Sequence, residues 1–263
     1  MRTIATSCAI GTLSMALAAG IAHAGNDLGA ALAGGEASLD LRYRFEFVDQ
    51  DGRDNTAEAS TVRTRLGYRS GAFHGVTGFI EFSDTTAILF DDYQPLPGPG
   101  DTAVVVDPEL TVLNRAYLEY GGLPDTTARI GRDRITLDNV RWIGNVGWRQ
   151  QEQTYDAATL ASNVLPDTTL TYAYLWQRNM ITGARQEQNS HLLNAAYSGL
   201  PWAKITGYGY FLNFDDAAPA LSTNTLGVRA AGCPRAVDNG SDPVRVARDT
   251  ESHRSRVGGI GEV

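Results

Sequence analysis

Residues 38–48 read Ser-Leu-Asp-Leu-Arg-Tyr-Arg-Phe-Glu-Phe-Val. In an extended chain successive side chains point to opposite sides. Leu39, Leu41, Tyr43, Phe45 and Phe47 therefore share one face, and Asp40, Arg42, Arg44 and Glu46 share the other. The alternation is unbroken over this whole stretch, about the 9–11 residues with which a tilted strand crosses a bilayer. Residues 60–69 repeat it, with Val62, Leu66 and Tyr68 opposite Arg63, Arg65 and Arg69. Weaker versions follow at 73–83, 109–120, 127–134, 154–162, 168–178, 190–198, 202–213 and 223–230. About ten strands are thus expected. Helical periodicity is poor throughout, and Gly, Thr and Tyr are too frequent for a helix bundle.

The connections carry a second pattern. Linkers 49–59, 84–108, 135–153, 179–189 and 214–222 are long, and the intervening linkers 70–72, 121–126, 163–167 and 199–201 are short. Long and short connections then lie at opposite ends of the sheet, as in outer-membrane barrels with short periplasmic turns and long external loops. The fold class expected is all-β: an antiparallel up-and-down transmembrane β-barrel.

Energy decides which face meets lipid. One Arg on the lipid face at mid-depth costs about 2–4 kcal/mol. Arg63, Arg65 and Arg69 together would cost roughly 6–12 kcal/mol by the same scale. Turning that face to a watery lumen removes the cost, so Arg42, Arg44, Arg63, Arg65 and Arg69 are assigned to the interior. Arg115 and Glu119 share a parity opposite Ala116, Leu118 and Tyr120, and also read inward. Arg129 reads inward against Ala128 and Ile130, and the parity breaks at Gly131-Arg132-Asp133-Arg134, the mark of a bulge or a barrel rim. Strands 168–178 and 202–213 are mild on both faces and give no side. The interior arginines suit anion binding, since a guanidinium offers a planar fork to carboxylates. Charge balance against Glu46, Glu81 and Glu119 explains them equally well, and the two roles coexist.

The N-terminus reads as an export signal. Arg2 precedes a nearly uncharged run from Ile4 to Ile21, and Ala22-His23-Ala24 is a small-x-small cleavage pattern. Residues 1–24 are expected to be removed, 25–37 to form a periplasmic segment, and 38–230 to form the barrel. After Ala24 no apolar run is long enough for a transmembrane helix. The whole chain has 263 residues and a net charge of −8, and its basic residues are 21 Arg against the single Lys204. An acidic chain of this kind is a poor nucleic-acid ligand. The partners expected are outer-membrane lipids, anionic solutes and the barrel-assembly machinery, with the chain a monomer.

Chemistry-bearing motifs are sparse. Cys8 falls in the export signal, leaving Cys233 alone and no disulfide framework. No nucleophile elbow, phosphate loop, dinucleotide glycine pattern or zinc-ligand spacing occurs, so neither an enzyme nor a cofactor is expected. His74 and His191 fall on the outer face near strand starts. Residues 49–55 are acidic but lack the glycine and glutamate of a calcium loop and read as a solvated loop. The Pro/Gly-rich stretch Tyr93 to Gly100 lies in the longest linker and is either an inward constriction or a plain external loop.

Three segments are specific: Gly131-Arg132-Asp133-Arg134-Ile135, Arg141-Trp142-Ile143-Gly144-Asn145-Val146-Gly147-Trp148-Arg149-Gln150, and Glu152-Gln153-Thr154-Tyr155-Asp156. With Leu41 to Glu46, Thr64 to Tyr68, Gly78 to Phe82 and Ala116 to Tyr120, they resemble the alginate-export-type porins of Gram-negative outer membranes. The resemblance covers about 38–230. It implies a large monomeric outer-membrane barrel with an arginine-rich, anion-selective lumen, which in the best known member passes a polyuronate. It places Arg129, Arg132, Arg134, Arg141 and Arg149 beside the interior arginines already assigned. It does not fix the solute, which is alginate-like polysaccharide or small anions.

The C-terminal part departs from that pattern. The last aromatic is Phe214, and alternation stops at Ala231. A transmembrane strand needs an apolar band with aromatic ends, so 231–263 is expected to be a non-barrel tail. Either the chain is a partial family member read out of frame from about 231, or the tail is a disordered or periplasmic extension. Two other readings stay open: a secreted soluble β-barrel or sandwich that binds a polar ligand, and a porin fragment that no longer functions.

Overall fold

The computed structural model describes residues 7–17, 27–214 and 219–232. They form one antiparallel sheet whose spatial order is the chain order, the up-and-down arrangement expected of a barrel wall. The strands are β1 (Ser7–Leu17), β2 (Glu36–Val48), β3 (Ala57–Arg69), β4 (Val76–Asp92), β5 (Leu110–Leu123), β6 (Thr126–Asp133), β7 (Thr154–Ser162), β8 (Thr168–Asn179), β9 (Arg185–Tyr197), β10 (Ala203–Leu212) and β11 (Thr223–Gly232). The ten strands expected over 38–230 are β2 to β11. Among the described residues β1 pairs only with β2 and β11 only with β10, so the sheet is not closed.

β1 lies inside the stretch read as an export signal and pairs with β2 from Ser7↔Phe47 to Leu17↔Ala37. Helix α1 (Leu28–Ala33) occupies the expected periplasmic segment and is capped by Asp27, whose Oδ1 accepts from the Gly29 amide. It is tied to the β3–β4 turn, where the Gly71 amide donates to Ala31 O at 2.8 Å. Of the stretch 231–263 expected to be a non-barrel tail, Ala231 and Gly232 belong to β11, and the remainder lies outside the described residues.

Several boundaries move. β4 continues to Asp92, nine residues past the expected end at 83. β9 begins at Arg185 rather than 190, so the expected long linker 179–189 shrinks to 180–184 and no longer differs from the short ones. β6 ends at Asp133, while its neighbours β5 and β7 continue past that level, to Leu110 and Thr154.

One face of the sheet carries large exposed apolar side chains along its length: Leu66, Phe82, Leu118, Ile130, Leu160, Leu193 and Leu226. The other face is covered by chain segments, and is called the inner face below. β9 shows the division cleanly, with Gln188, Ser190, Leu192, Asn194 and Ala196 buried and His191, Leu193, Ala195 and Tyr197 exposed. The two strands that gave no side from sequence are settled by packing. Ala173 and Leu175 of β8, and Thr206 and Tyr210 of β10, are buried on the inner face.

Candidate functional site

β2 and β3 pair so that Arg42 lies across from Arg63, and Asp40 across from Arg65. With Arg44 these side chains form a row of guanidinium groups on the inner face. Arg42, Arg44, Arg63 and Arg65 are each at most 8% exposed, whereas Leu66, next along the chain, is 58% exposed. Such burial demands a full set of acceptors, because an unpaired buried charge is strongly unfavourable.

The covering comes from the segment between β6 and β7, residues 134–153. The linker 135–153 was expected to be an external loop; instead it folds back over the inner face. At one end Ile135 and Ile143 pack with Tyr155, Ala173, Leu175, Leu192 and Tyr210 of β7 to β10. Asp138 holds this end, its Oδ2 accepting from Asn194 Nδ2 at 3.0 Å and from the Tyr210 hydroxyl at 3.1 Å. At the other end the polar run Gln150-Gln151-Glu152 is buried against β2, β3 and β4. A second segment, between β4 and β5, contributes Ala103 and Val105, packed on Ala57 and Ala59. Of the Pro/Gly stretch, Tyr93 and Gln94 are half-buried and residues 95–100 are exposed, so the part of that loop that turns inward is Ala103 to Asp107.

The guanidinium row grips backbone. Arg42 donates to Gln150 Oε1 at 3.0 Å, to Gly147 O at 3.0 Å, to Trp148 O at 3.3 Å, and to Arg149 O. Arg44 donates to Trp148 O at 2.5 Å and pairs with Glu46. Arg63 pairs with Asp40 and reaches Gln150 O at 3.4 Å. Gln150 in turn donates through Nε2 to Thr61 Oγ1 at 2.9 Å, and its amide donates to Asp107 Oδ1 at 2.8 Å. Arg149 lies 3.2 Å from Glu46 and 3.7 Å from Asp107, and its guanidinium stacks 4.0 Å over the ring of Trp148.

Glu152 is where several strands converge. Its carboxylate accepts from Arg134 Nε at 2.6 Å and Nη2 at 2.8 Å, from Asn114 Nδ2 at 2.7 Å, and from Asn145 Nδ2 at 2.8 Å. Arg65 Nη1 lies 3.3 Å away. Burial by itself would raise this carboxyl, but the hydrogen bonds from Arg134 and the charge of Arg65 outweigh it and hold it far below the usual carboxylate range. Asp107 goes the other way: burial raises its carboxyl despite the Gln150 amide and the nearby Arg44 and Arg149. Burial also lowers the Arg149 guanidinium.

A second inner-face cluster lies toward the β3–β4 turn. Glu119 accepts from Arg69 and Arg129, each at 2.5 Å. Asp133 pairs with Arg115 at 2.7 Å and with Arg129 at 2.9 Å. Arg115 stacks over Phe79 and Tyr117, and Arg129 over Tyr117, at about 5 Å. Glu81 accepts from Asn114 Nδ2 at 2.6 Å.

Of the arginines that the resemblance adds, Arg134 and Arg149 join the inner-face groups. Arg132 takes the parity of Ile130 and pairs across strands with Asp156, at 2.7 Å. Arg141 is exposed and lies 5.4 Å over the Trp142 ring. The parity break is located at Gly131, whose φ is +126°. A Cβ there would sit 2.4 Å from Ala116 O and 2.8 Å from Tyr117 Cα, so only glycine fits this approach of β6 to β5. Reasoning from sequence missed Asp107, Asn114, Asp133, Gln150, Gln151 and Glu152. The signal available was the surplus of inward arginines over the three glutamates assigned to them, which requires acceptors from elsewhere.

A family model described as alginate export matches residues 35–239. Neither the curated proteins nor the solved structures compared with the chain give a match.

Proposed function

Because the chain belongs to the alginate-export family, we propose that it is an outer-membrane channel that passes alginate-like polysaccharide, or smaller anions, along the guanidinium row of its inner face. Family membership and an all-β antiparallel wall support an outer-membrane export role in general. The observation that carries the finer reading is the split of β2 and β3 into one face of buried guanidinium groups and an opposite face of half-buried Leu39, Leu41, Tyr43, Phe45 and Val62 with exposed Leu66. On this reading Leu66, Leu118, Ile130 and Leu193 meet lipid. Arg42, Arg44, Arg63, Arg65, Arg69, Arg115 and Arg129 line the path, with Glu46, Glu81 and Glu119 setting their local charge. A soluble β-protein is disfavoured by the same apolar face, which is too extensive for a water-exposed monomer.

The test is reconstitution of the purified, folded protein into planar bilayers under a salt gradient. The reading expects a conductance with a reversal potential on the anion side. Partition of the protein into the aqueous fraction, absence of conductance, or cation preference each overturns it.

A further inference from the structure

We propose that the backbone carbonyls of Gly147, Trp148, Arg149 and Gln150 stand in for the carboxylates of the permeant, so that a polyanion binds this channel by exchange with that segment. The inference rests on the channel reading above.

The contacts argue it. Three successive carbonyls converge on one guanidinium, that of Arg42, and the middle one also accepts from Arg44. Among the described residues Arg42 pairs with no carboxylate: its acceptors are those carbonyls and the Gln150 amide oxygen. A neutral acceptor makes the weaker class of bond to a guanidinium, and a carboxylate the stronger, often bidentate one. The row also has donors in hand: among the described residues the Nε groups of Arg63 and Arg65 are buried without a hydrogen-bond partner, and that of Arg44 faces only the Asp107 carboxylate, at 3.5 Å. A buried donor left unmade is costly, and a carboxylate satisfies it where a carbonyl already engaged elsewhere does not.

The consequence is specificity. A small anion offers one charge and cannot replace a run of carbonyls together. A polyuronate brings a carboxylate on each sugar, and several act in concert at high effective concentration once the first has bound. The segment should therefore yield to a polymer and stay docked in chloride. Its own anchors are separate from the exchanged contacts, because Ile135, Ile143 and Asp138 tether its other end to β7–β10. The part that exchanges is local.

The experiment is amide hydrogen exchange of residues 144–153 in the full chain in micelles, with alginate oligosaccharide, with its carboxyl-reduced derivative, and with sodium chloride of equal ionic strength. The oligosaccharide is expected to speed exchange roughly tenfold, on the order of the difference between a neutral and a charged acceptor. The other two solutes should leave it unchanged. Unchanged or slowed exchange with the oligosaccharide overturns the proposal, and so does equal acceleration by chloride. A second measurement uses Gln150→Ala, which removes the side chain that ties the segment to Thr61 and Arg42. Its small-anion conductance should already be raised and should no longer respond to oligosaccharide, whereas the unmodified protein should respond. If both conduct and neither responds, this inference fails and the channel stands. If neither conducts in any condition, the channel reading itself fails.

Discussion

Replacing Glu152 by Gln tests the electrostatics of the inner face at its most connected point. The substitution keeps shape and one acceptor oxygen but removes the charge. Glu152 is 5% exposed and serves Arg134, Asn114, Asn145 and Arg65 at 2.6–3.3 Å. Arg65 is buried at 8% exposure, and its nearest carboxylate partner is Glu152. Removing one partner of a buried pair costs about 3–5 kcal/mol, because the other charge stays buried uncompensated. The loss should fall first on segment 134–153, since the segment can lift off while the strand ladder stays paired. Protease accessibility of that segment in folded protein reads this directly. Release should become several hundred-fold easier, roughly what 3–4 kcal/mol corresponds to. A change below about threefold would refute the claim that Glu152 neutralises buried guanidinium groups here.

The same carboxylate sets an acid dependence. Glu152 has a folded-state value below its unfolded one, so its contribution is present above the ordinary carboxylate range and is lost only as pH falls through the lowered value. Asp107 is raised by burial, so its ionised form opposes docking at neutral pH. Asp107→Asn, which keeps an oxygen for the Gln150 amide, should leave protease release at pH 7 unchanged or slower, opposite in sign to Glu152→Gln. Equal loosening by both variants would show the burial argument to be wrong. Gly131→Ala should destabilise the wall by about 1–3 kcal/mol, the usual range for a strained backbone position. It would lower the temperature at which the folded protein changes mobility on a gel, and an unchanged temperature would mean that β6 tolerates a side chain there. Arg63→Glu with Arg65→Glu should move the bilayer reversal potential toward cations, and retention of full anion preference would assign selectivity elsewhere. Protein recovered from outer membranes should begin at Gly25; a mass that includes residues 1–24 would contradict the export-signal reading.

The strands whose sides were legible are those with arginine on one face. On β2 and β3 the energy of placing Arg in hydrocarbon gives the parity, and the register that sets Arg42 across from Arg63 and Asp40 across from Arg65 keeps these residues on one face but is not fixed by parity. On β8 and β10 the inner face is itself apolar, because Ala173, Leu175 and Tyr210 pack against Ile135 and Ile143 rather than against water. Alternation carries no polarity there, so sequence gives no side. The inward fold of 134–153 was hidden for a related reason. Its anchors are two isolated isoleucines and a run of Gln-Gln-Glu, which by composition resemble any solvated loop. Only the unmet demand of the arginines for acceptors distinguishes them. β4 ran long because Thr85 and Ala87 keep the inner parity past residue 83, against Thr61 and Arg63 of β3.

The central claim is that guanidinium groups and hydrocarbon occupy opposite faces of one membrane wall. It is tested most directly by single cysteines, in a background without Cys233, carrying a fluorophore in brominated-lipid vesicles. Labels at Leu66, Leu118 and Ile130 should be quenched by the bromines, and labels at Arg63, Ser83 and Ala173 should not. Quenching at the second set, with the first set quenched only by aqueous iodide, would contradict the account.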